Sequence, residues 1–308
     1  MEHVSVLLNE SIKMLQIKDD GVYVDCTLGR GGHSSEILKR CTRGYLYAFD
    51  CDQNAIDEST PRLQKIGDNF TCIHDSFEHL KEQLDSLNVD KVDGILLDLG
   101  VSSPQFDDAK RGFSYRFDAR LDMRMNQEQK LDAWTVVNEY SLEDLCRILK
   151  DYGEEPFAYK IASKIVEKRK MKSIDTTFEL VDIIKSALPN AVLRKKGHPA
   201  KQSFQAIRME VNQELPQLEV VLKEGLKRLK PHGRMCVITF HSLEDRAVKN
   251  AMLEAKGRCT CPPDLPYCVC GAKSLGKIIT RKPIVATKLE QEENSRSKSA
   301  KLRIFEKE

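Results

Sequence analysis

The sequence contains no apolar run approaching the ~20 residues that a helix needs to cross a bilayer, so we expect no membrane contact. Its first residues include an early acid, Glu2, and no basic stretch, which argues against a secretory signal. A cytoplasmic location is therefore expected. The formal net charge is only +2 over 308 residues, so net charge alone does not predict a nucleic-acid partner.

Basic residues nevertheless gather in three clusters. Their members are Lys164, Lys168, Arg169, Lys170 and Lys172; Arg194, Lys195, Lys196, His198 and Lys201; and Arg296, Lys298, Lys301 and Arg303. A single cluster of this kind is more typical of a solvated face than of a binding site. Three of them in one chain are also compatible with a polyanionic substrate, which stays an alternative.

The glycine-rich segment near the N-terminus lacks the third glycine of the dinucleotide pattern G-x-G-x-x-G. It follows a β-prone run that ends at Asp25, reads GRGGHS over residues 29–34, and leads into a helical pattern. Asp50 ends the next β-prone run about twenty residues later, where a carboxylate can reach the hydroxyls of a bound ribose. These features predict a nucleoside-cofactor site.

S-adenosylmethionine is favoured as the cofactor because Asp25 could accept hydrogen bonds from an ammonium group, whereas it would repel a pyrophosphate. NAD, and a glycine turn that binds no ligand, remain alternatives on these residues alone.

Strand-like runs alternate with helical patterns over the first hundred residues, at 22–24, 45–49, 70–74 and 92–99. This alternation predicts βαβ units and a parallel sheet. A further buried-strand pattern follows at 233–240, and residues 301–305 are a candidate edge strand. The predicted fold class is therefore α/β, with a doubly wound sheet.

Residues 107–208 interrupt this pattern, because their apolar residues recur at three- and four-residue spacing and give no strand candidate. We predict a sheet domain formed by 1–106 and 209–308, with 107–208 as an inserted helical subdomain. Since ligands bind at the carboxyl ends of such strands, the insertion is expected to hold the substrate. A purely structural insertion is the alternative.

The segment after Asp98 resembles the short motif with which enzymes methylate the exocyclic amines of bases. Acceptors aimed at the amine N–H groups, and an aromatic ring that stacks on the base, favour attack by this poor nucleophile. Ser103, the carbonyl of Pro104, and Phe106 fit these roles, although Gln105 replaces a second proline of the motif. A turn that only caps the next element is equally compatible.

Seven blocks together make a more specific resemblance, to the bacterial small-subunit ribosomal RNA cytosine-N4 methyltransferases, the RsmH (MraW) family. They are residues 25–34, 96–105, 111–114, 121–125, 152–155, 204–208 and 240–246, and they extend over essentially the whole chain. Cys26, where the family usually has glycine, is one departure from the pattern.

The resemblance implies a Rossmann-like methyltransferase sheet. It also implies transfer of a methyl group from S-adenosylmethionine to the N4 amine of one cytidine in the decoding region of 16S ribosomal RNA, within the small ribosomal subunit. The family residues that line the cofactor pocket correspond to Gly31, Gly32, His33, Asp50, Phe77, Asp98 and Gln105. Asp98 and Gln105 are thereby assigned to the cofactor rather than to the base.

His241 follows a predicted strand at the carboxyl edge of the sheet, where it could relay the proton lost by the attacking amine. The alternative is a core histidine beside a Glu244–Arg246 pair. A non-catalytic RNA-binding assembly factor also remains a rival at this stage.

Four of the ten cysteines form two C-x-C pairs, Cys259 with Cys261 and Cys268 with Cys270. Four thiolates could hold a structural zinc ion, although C-x-C is tighter than the usual spacing. Free thiols and redox pairing are the alternatives, so the metal content stays unknown.

Overall fold

The computed structural model describes residues 5–257, 261–262, 265–267 and 273–308, with the backbone alone at 103 and 104. Within these residues the strands are β1 Val22–Asp25, β2 Tyr45–Asp50, β3 Phe70–His74, β4 Val92–Asp98, β5 Leu229–Thr239, β6 Gly276–Ile278 and β7 Lys301–Lys307. The helices are α1 Leu8–Leu15, α2 Gly32–Leu38, α3 Gln53–Gln64, α4 Leu80–Ser86, α5 Ser103–Asp107, α6 Ala133–Glu139, α7 Leu142–Asp151, α8 Ala158–Arg169, α9 Thr177–Ala187, α10 Asn190–Leu193, α11 Lys201–Val211, α12 Glu214–Arg228, α13 Ser242–Ala255 and α14 Lys288–Glu293.

Contacts between residues divide the chain into two compact units. Residues 1–100 and 215–308 form unit 1, and residues 101–214 form unit 2. The substrate-holding role that the sequence suggested for 107–208 stays a prediction.

The sheet of unit 1 has the order β3-β2-β1-β4-β5-β7-β6. Neighbouring strands from β3 to β5 pair in parallel, whereas β7 runs antiparallel to both β5 and β6. The strand order reverses beside β1, which lies between β2 and β4. Such a reversal opens a crevice at the carboxyl ends of the strands, where doubly wound sheets bind their ligands.

Both faces of this sheet are covered, as a mainly parallel sheet requires. Successive residues of β4 enter different hydrophobic clusters, Ile95 on one face and Leu96 on the other, because side chains alternate along a strand. Leu218 of α12 packs into the first cluster, and Ile37 of α2 packs into the second. The predicted doubly wound α/β class is therefore confirmed.

One strand prediction is wrong. Residues 301–305 belong to β7, which is an inner strand, because β6 pairs with its outer side. β6 is only three residues long, so its sequence gives no alternating pattern that could have revealed it.

Unit 2 has a hydrophobic core of its own, to which α6, α7, α8, α9 and α11 contribute. Between residues 101 and 214 the structure has no strand, only an isolated bridge between Arg120 and Thr176. Thr176 forms a capping box with Glu179 at the start of α9, which explains why that helix begins where its apolar pattern begins.

In the described part of the chain, every helix is too short or too polar to cross a membrane.

Asn212 connects α11 to the loop at Met123–Met125 inside unit 2. Its Oδ1 accepts from the Met125 N–H at 2.7 Å, and its Nδ2 donates to the carbonyl of Met123 at 2.8 Å. We expect Asn212→Ala to lower the free energy of unfolding by about 2 kcal/mol, because these groups would lose their partners. Urea denaturation measures the change. Asn190→Ala, at an exposed position of the same unit, is the control. Equal effects of the two substitutions would contradict this prediction.

Candidate functional site

Asp25, the last residue of β1, has no exposed surface. Its Oδ1 accepts from the backbone N–H of Thr27 at 3.0 Å, and its Oδ2 accepts from the Ser34 hydroxyl at 2.6 Å. Burial raises the pKa of this carboxyl. A side chain without exposed surface cannot contact a ligand in this conformation, so the predicted ammonium contact of Asp25 is not supported. Instead, Asp25 holds the loop that follows it.

Thr27 connects this loop to the next strand of the sheet. Its hydroxyl oxygen accepts from the backbone N–H of Asp98 at 2.7 Å and lies 3.4 Å from Asp25 Oδ1. The hydroxyl therefore joins the carboxyl ends of β1 and β4. Our sequence reasoning missed this role, although a threonine two residues after an aspartate is a known local turn signal.

The glycines of the loop are required by backbone conformation and by packing. Gly29 and Gly31 have φ angles of +49° and +71°, in the left-handed region that disfavours side chains. At Gly32, a Cβ would collide with the hydroxyl of Ser5. The small residue at position 32 thus admits the N-terminal segment of the protein, a reason that the ligand-based interpretation did not include.

Asp50 ends β2 beside this loop. Its Oδ2 accepts from the N–H of Gly29 at 2.8 Å, and its Oδ1 accepts from the N–H of Asp52 at 2.9 Å. Burial raises the pKa of Asp50 to about 6, despite these hydrogen bonds. Each carboxylate oxygen has two lone pairs, so Asp50 retains capacity to accept from the hydroxyls of a ribose.

His33 and Asp98 lie together at the ends of α2 and β4. His33 is 4% exposed, and its Nδ1 is 3.7 Å from Asp98 Oδ2, too far for a hydrogen bond. Burial lowers the pKa of His33 to about 4, so the ring is neutral at physiological pH.

The pKa of Asp98 is raised well above its usual value, by burial and by the negative charges of Asp25 and Glu244. Among the described residues, none donates a hydrogen bond to the buried Asp98 Oδ1. A buried acceptor without a donor is costly. The Asp98 side chain as a whole is 23% exposed, so a ligand that brings an N–H donor or a positive charge could reach its carboxyl group, and this is the best structural indication of a cofactor here.

Phe77 begins a short 3₁₀ helix after β3, and it is partly buried against the core of unit 1. The backbone N–H of Asp75 donates to the carbonyl of Asp50 at 3.1 Å, which places the start of this segment beside Asp50. Six of the seven predicted cofactor residues therefore lie at the carboxyl ends of β1 to β4 in unit 1, or in the segments that directly follow them. They are Gly31, Gly32, His33, Asp50, Phe77 and Asp98.

The remaining predicted residues after β4 belong to unit 2. Gln105 is 6% exposed, and its Oε1 accepts from the N–H of Ser102 at 3.1 Å. Phe106 is partly buried against the hydrophobic core of unit 2. The side chains of Ser103 and Pro104 lie outside the described residues, and their predicted contacts with a base stay predictions.

His241 is the N-cap residue of α13. Its Nδ1 accepts from the N–H of Glu244 at 3.4 Å, and its Nε2 is 3.1 Å from Glu244 Oε1. The Glu244 carboxylate in turn accepts from the N–H groups of Phe240 and His241. Because Nδ1 accepts from the N–H of the helix, its lone pair is not available in this conformation to receive a proton from a reacting amine. In this conformation His241 stabilises a helix start, and its proton-relay role stays a prediction.

Of the four cysteines in the zinc hypothesis, Cys259, Cys268 and Cys270 lie outside the described residues, and zinc binding stays a prediction. Cys261 is described and is partly exposed.

Comparisons with known proteins agree on one family. The family model described as "MraW methylase family" matches residues 1–308. Three relatives carry the name ribosomal RNA small subunit methyltransferase H. The relative from Clostridium botulinum is 54% identical over 99% of both chains. The relatives from Lachnospira eligens and Clostridioides difficile are 53% and 51% identical, over 99% of this chain and 98% of theirs.

The low pKa of His33 can be tested by following the protonation of its ring. We expect its ring signals in an NMR titration to stay those of neutral imidazole from pH 8 down to about pH 4.5. His79 is the comparison, because the Asp75 carboxylate 2.8 Å from its Nδ1 raises its pKa. A His33→Gln variant assigns the signal.

The same shift makes His33 contribute to the pH dependence of stability. In the unfolded chain the imidazole binds a proton near pH 6.5, and in the folded protein only near pH 4. Lowering the pH between these values therefore lowers the free energy of unfolding, because at His33 the unfolded chain binds the proton more tightly than the folded protein does. Protonation of His33 near pH 6.5 in the folded protein would contradict the assignment.

Proposed function

The chain belongs to the MraW methylase family, and we propose that it transfers a methyl group from S-adenosylmethionine to the N4 amine of one cytidine in the decoding region of 16S ribosomal RNA. The sequence-based identification of the family is confirmed. The base, the amine and the position in the RNA belong to our proposal, as does a cytoplasmic site of action on the small ribosomal subunit.

The observation that carries this proposal is the group of acidic side chains at the carboxyl ends of β1, β2 and β4, which we call the cofactor edge. In the part of the chain that the structure describes, no group donates to Oδ1 of the partly exposed Asp98 carboxyl, and burial together with the charges of Asp25 and Glu244 raises the pKa of this carboxyl. An edge so rich in acids would repel the pyrophosphate of NAD. It suits S-adenosylmethionine, which carries an ammonium and a sulfonium group and has no phosphate.

The residues of unit 1 divide the recognition of the cofactor among them. We assign the ribose hydroxyls to Asp50, whose oxygens keep free lone pairs beside the glycine loop. We assign the ammonium group to Asp98, whose pKa a bound cation would lower again. Gly31, Gly32, His33 and Phe77 would shape the walls of this pocket. Bound S-adenosylmethionine supplies a methyl group already activated by the positive sulfur.

The remaining part of the reaction is to present the cytosine amine. We assign to Ser103 and the carbonyl of Pro104 the acceptance of its N–H groups, and to Phe106 the stacking of the base. Gln105 is proposed to contact the cofactor. Alignment of the amine with the methyl group supplies most of the rate. The methylated amine is acidic and can release its proton to water, so no relay is required. His241 could act as one only if its ring left the helix cap.

Transfer of label from methyl-labelled S-adenosylmethionine tests the proposal directly. The acceptors are small ribosomal subunits and protein-free 16S RNA, and nucleoside mass spectrometry identifies the product. We expect N4-methylated cytidine. Label on another base or atom, or no label from protein that binds the donor, would contradict the assigned acceptor.

Asp50→Asn tests the ribose assignment while it keeps one acceptor for the loop. We expect the dissociation constant of the donor to rise about tenfold or more, because a charged acceptor makes the stronger hydrogen bond. Isothermal titration calorimetry measures the change. Asp57→Asn, an exposed position on α3 with the same change of charge, is the control. Unchanged affinity in Asp50→Asn would remove this residue from the site.

A further inference from the structure

Two loops of unit 2 are held side by side by stacked rings. The rings of Tyr115 and His198 are 4.1 Å apart between centroids and 8° from parallel. Phe204 of α11 meets the ring of Tyr115 edge-on, at 5.7 Å. His198 Nδ1 also accepts from the N–H of Ala200 at 3.3 Å, which fixes the ring. The segments on either side of this stack are therefore positioned by packing.

Cations surround the stack. Arg116 follows Tyr115 directly, and residues 194–196, Arg-Lys-Lys, come just before His198; all four are exposed. Burial lowers the pKa of His198, and the positive charges of Lys185 and Arg116 lower it further, so these two cations lie close to the ring. We refer to Arg116, Arg194, Lys195 and Lys196, together with the nearby Lys185 of α9, as the loop cations.

The loop cations lack the acidic partners that several members of the other basic clusters have. In the first cluster, Lys172 pairs with Glu179 at 2.6 Å. In the third, Lys301 and Arg303 both pair with Asp245. Within the described residues, no acidic side chain forms an ion pair with any of the loop cations. Their charge is available to a partner from outside the protein.

Exposed aromatic rings accompany these cations. Phe117 is 46% exposed and directly follows Arg116, and Phe178 is 42% exposed. The backbones beside these two rings are joined, because the Thr177 hydroxyl donates to the carbonyl of Phe117 at 2.6 Å. Cations that bind phosphates, next to aromatic faces on which bases can stack, are the combination that binds single-stranded RNA.

We propose that the loop cations and Phe117 form an RNA-binding surface of unit 2, which contacts phosphates of the substrate RNA. This inference rests on the proposed function for the identity of the RNA. It adds a source of affinity that the cofactor edge does not provide. Lys195 and Lys196 are expected to contact one phosphate each.

The double variant Lys195→Gln/Lys196→Gln tests the surface. We expect its KM for 16S RNA to rise about tenfold with kcat nearly unchanged, because the lost contacts contribute to RNA binding and not to the methyl-transfer step. The slope of log affinity against log salt concentration should become shallower by about 1.4 to 1.8, which is the effect of two lost phosphate contacts. Calorimetry with S-adenosylmethionine shows whether the variant remains folded, and unchanged donor affinity is expected.

Lys168→Gln/Lys170→Gln is the matched control. It removes the same charge from exposed positions of the same unit, at the end of α8. Equal losses in both double variants would overturn the proposal, because they would reflect net charge alone. An unchanged KM and salt slope in Lys195→Gln/Lys196→Gln would overturn it as well.

The RNA-binding measurement also separates this inference from the proposed function. If the wild-type protein transfers no label to 16S RNA, the proposed function fails. The salt dependence of RNA binding by the wild type and the two double variants still decides whether the loop cations contact RNA.

Discussion

The burial of one carboxylate, that of Asp25, organises the carboxyl edge of the sheet. A charged or polar group without access to water needs donors from the protein. The loop and the helix that follow supply them, through the Thr27 N–H and the Ser34 hydroxyl. Because Ser34 belongs to α2, the same bond fixes where that helix starts. Thr27 then binds the backbone of Asp98, and Gly29 binds Asp50. The positions of Asp50 and Asp98, the two acids proposed to bind the cofactor, therefore depend on the hydrogen bonds that Asp25 accepts.

The same edge shows how burial acts on groups of opposite sign. Desolvation disfavours a charge, so it lowers the pKa of His33 and raises the pKa of Asp50 and Asp98. Acidification toward pH 4 therefore destabilises the folded protein through His33, whereas protonation of Asp50 near pH 6 relieves a buried negative charge. Among the described residues Asp98 has only His33 within ion-pair distance, and a neutral His33 cannot compensate a negative charge there. A bound ligand with positive charge would remove this electrostatic cost.

The sequence predicted the parts of the fold that depend on local pattern. Strands β1, β2 and β4 are recognisable apolar runs because they are inner strands of the sheet, and the three- and four-residue spacing of apolar residues in 107–208 corresponds to helices such as α9. The position of β7 could not be predicted, because it depends on pairing with β6, which is too short to show a pattern. Local pattern also could not distinguish the two uses of Asp25. An aspartate before a glycine loop suits a ligand contact and a buried structural acceptor equally, and only its burial decides. His241 is similar, since a histidine near a sheet edge gives no sign that its ring caps a helix.

The nearly balanced net charge conceals a separation of sign that matters for function. Unit 1 places Asp25, Asp50 and Asp98 at the carboxyl ends of neighbouring strands, where a cationic methyl donor would be stabilised. Unit 2 exposes cations without acidic partners on loops fixed by the Tyr115–His198 stack, where a polyanion would be attracted. Basic residues that look alike in the sequence separate into these classes only through their partners, as Arg303 shows by its pairing with Asp245. An overall charge of +2 is therefore compatible with an RNA substrate, because recognition depends on which charges remain unpaired at the surface.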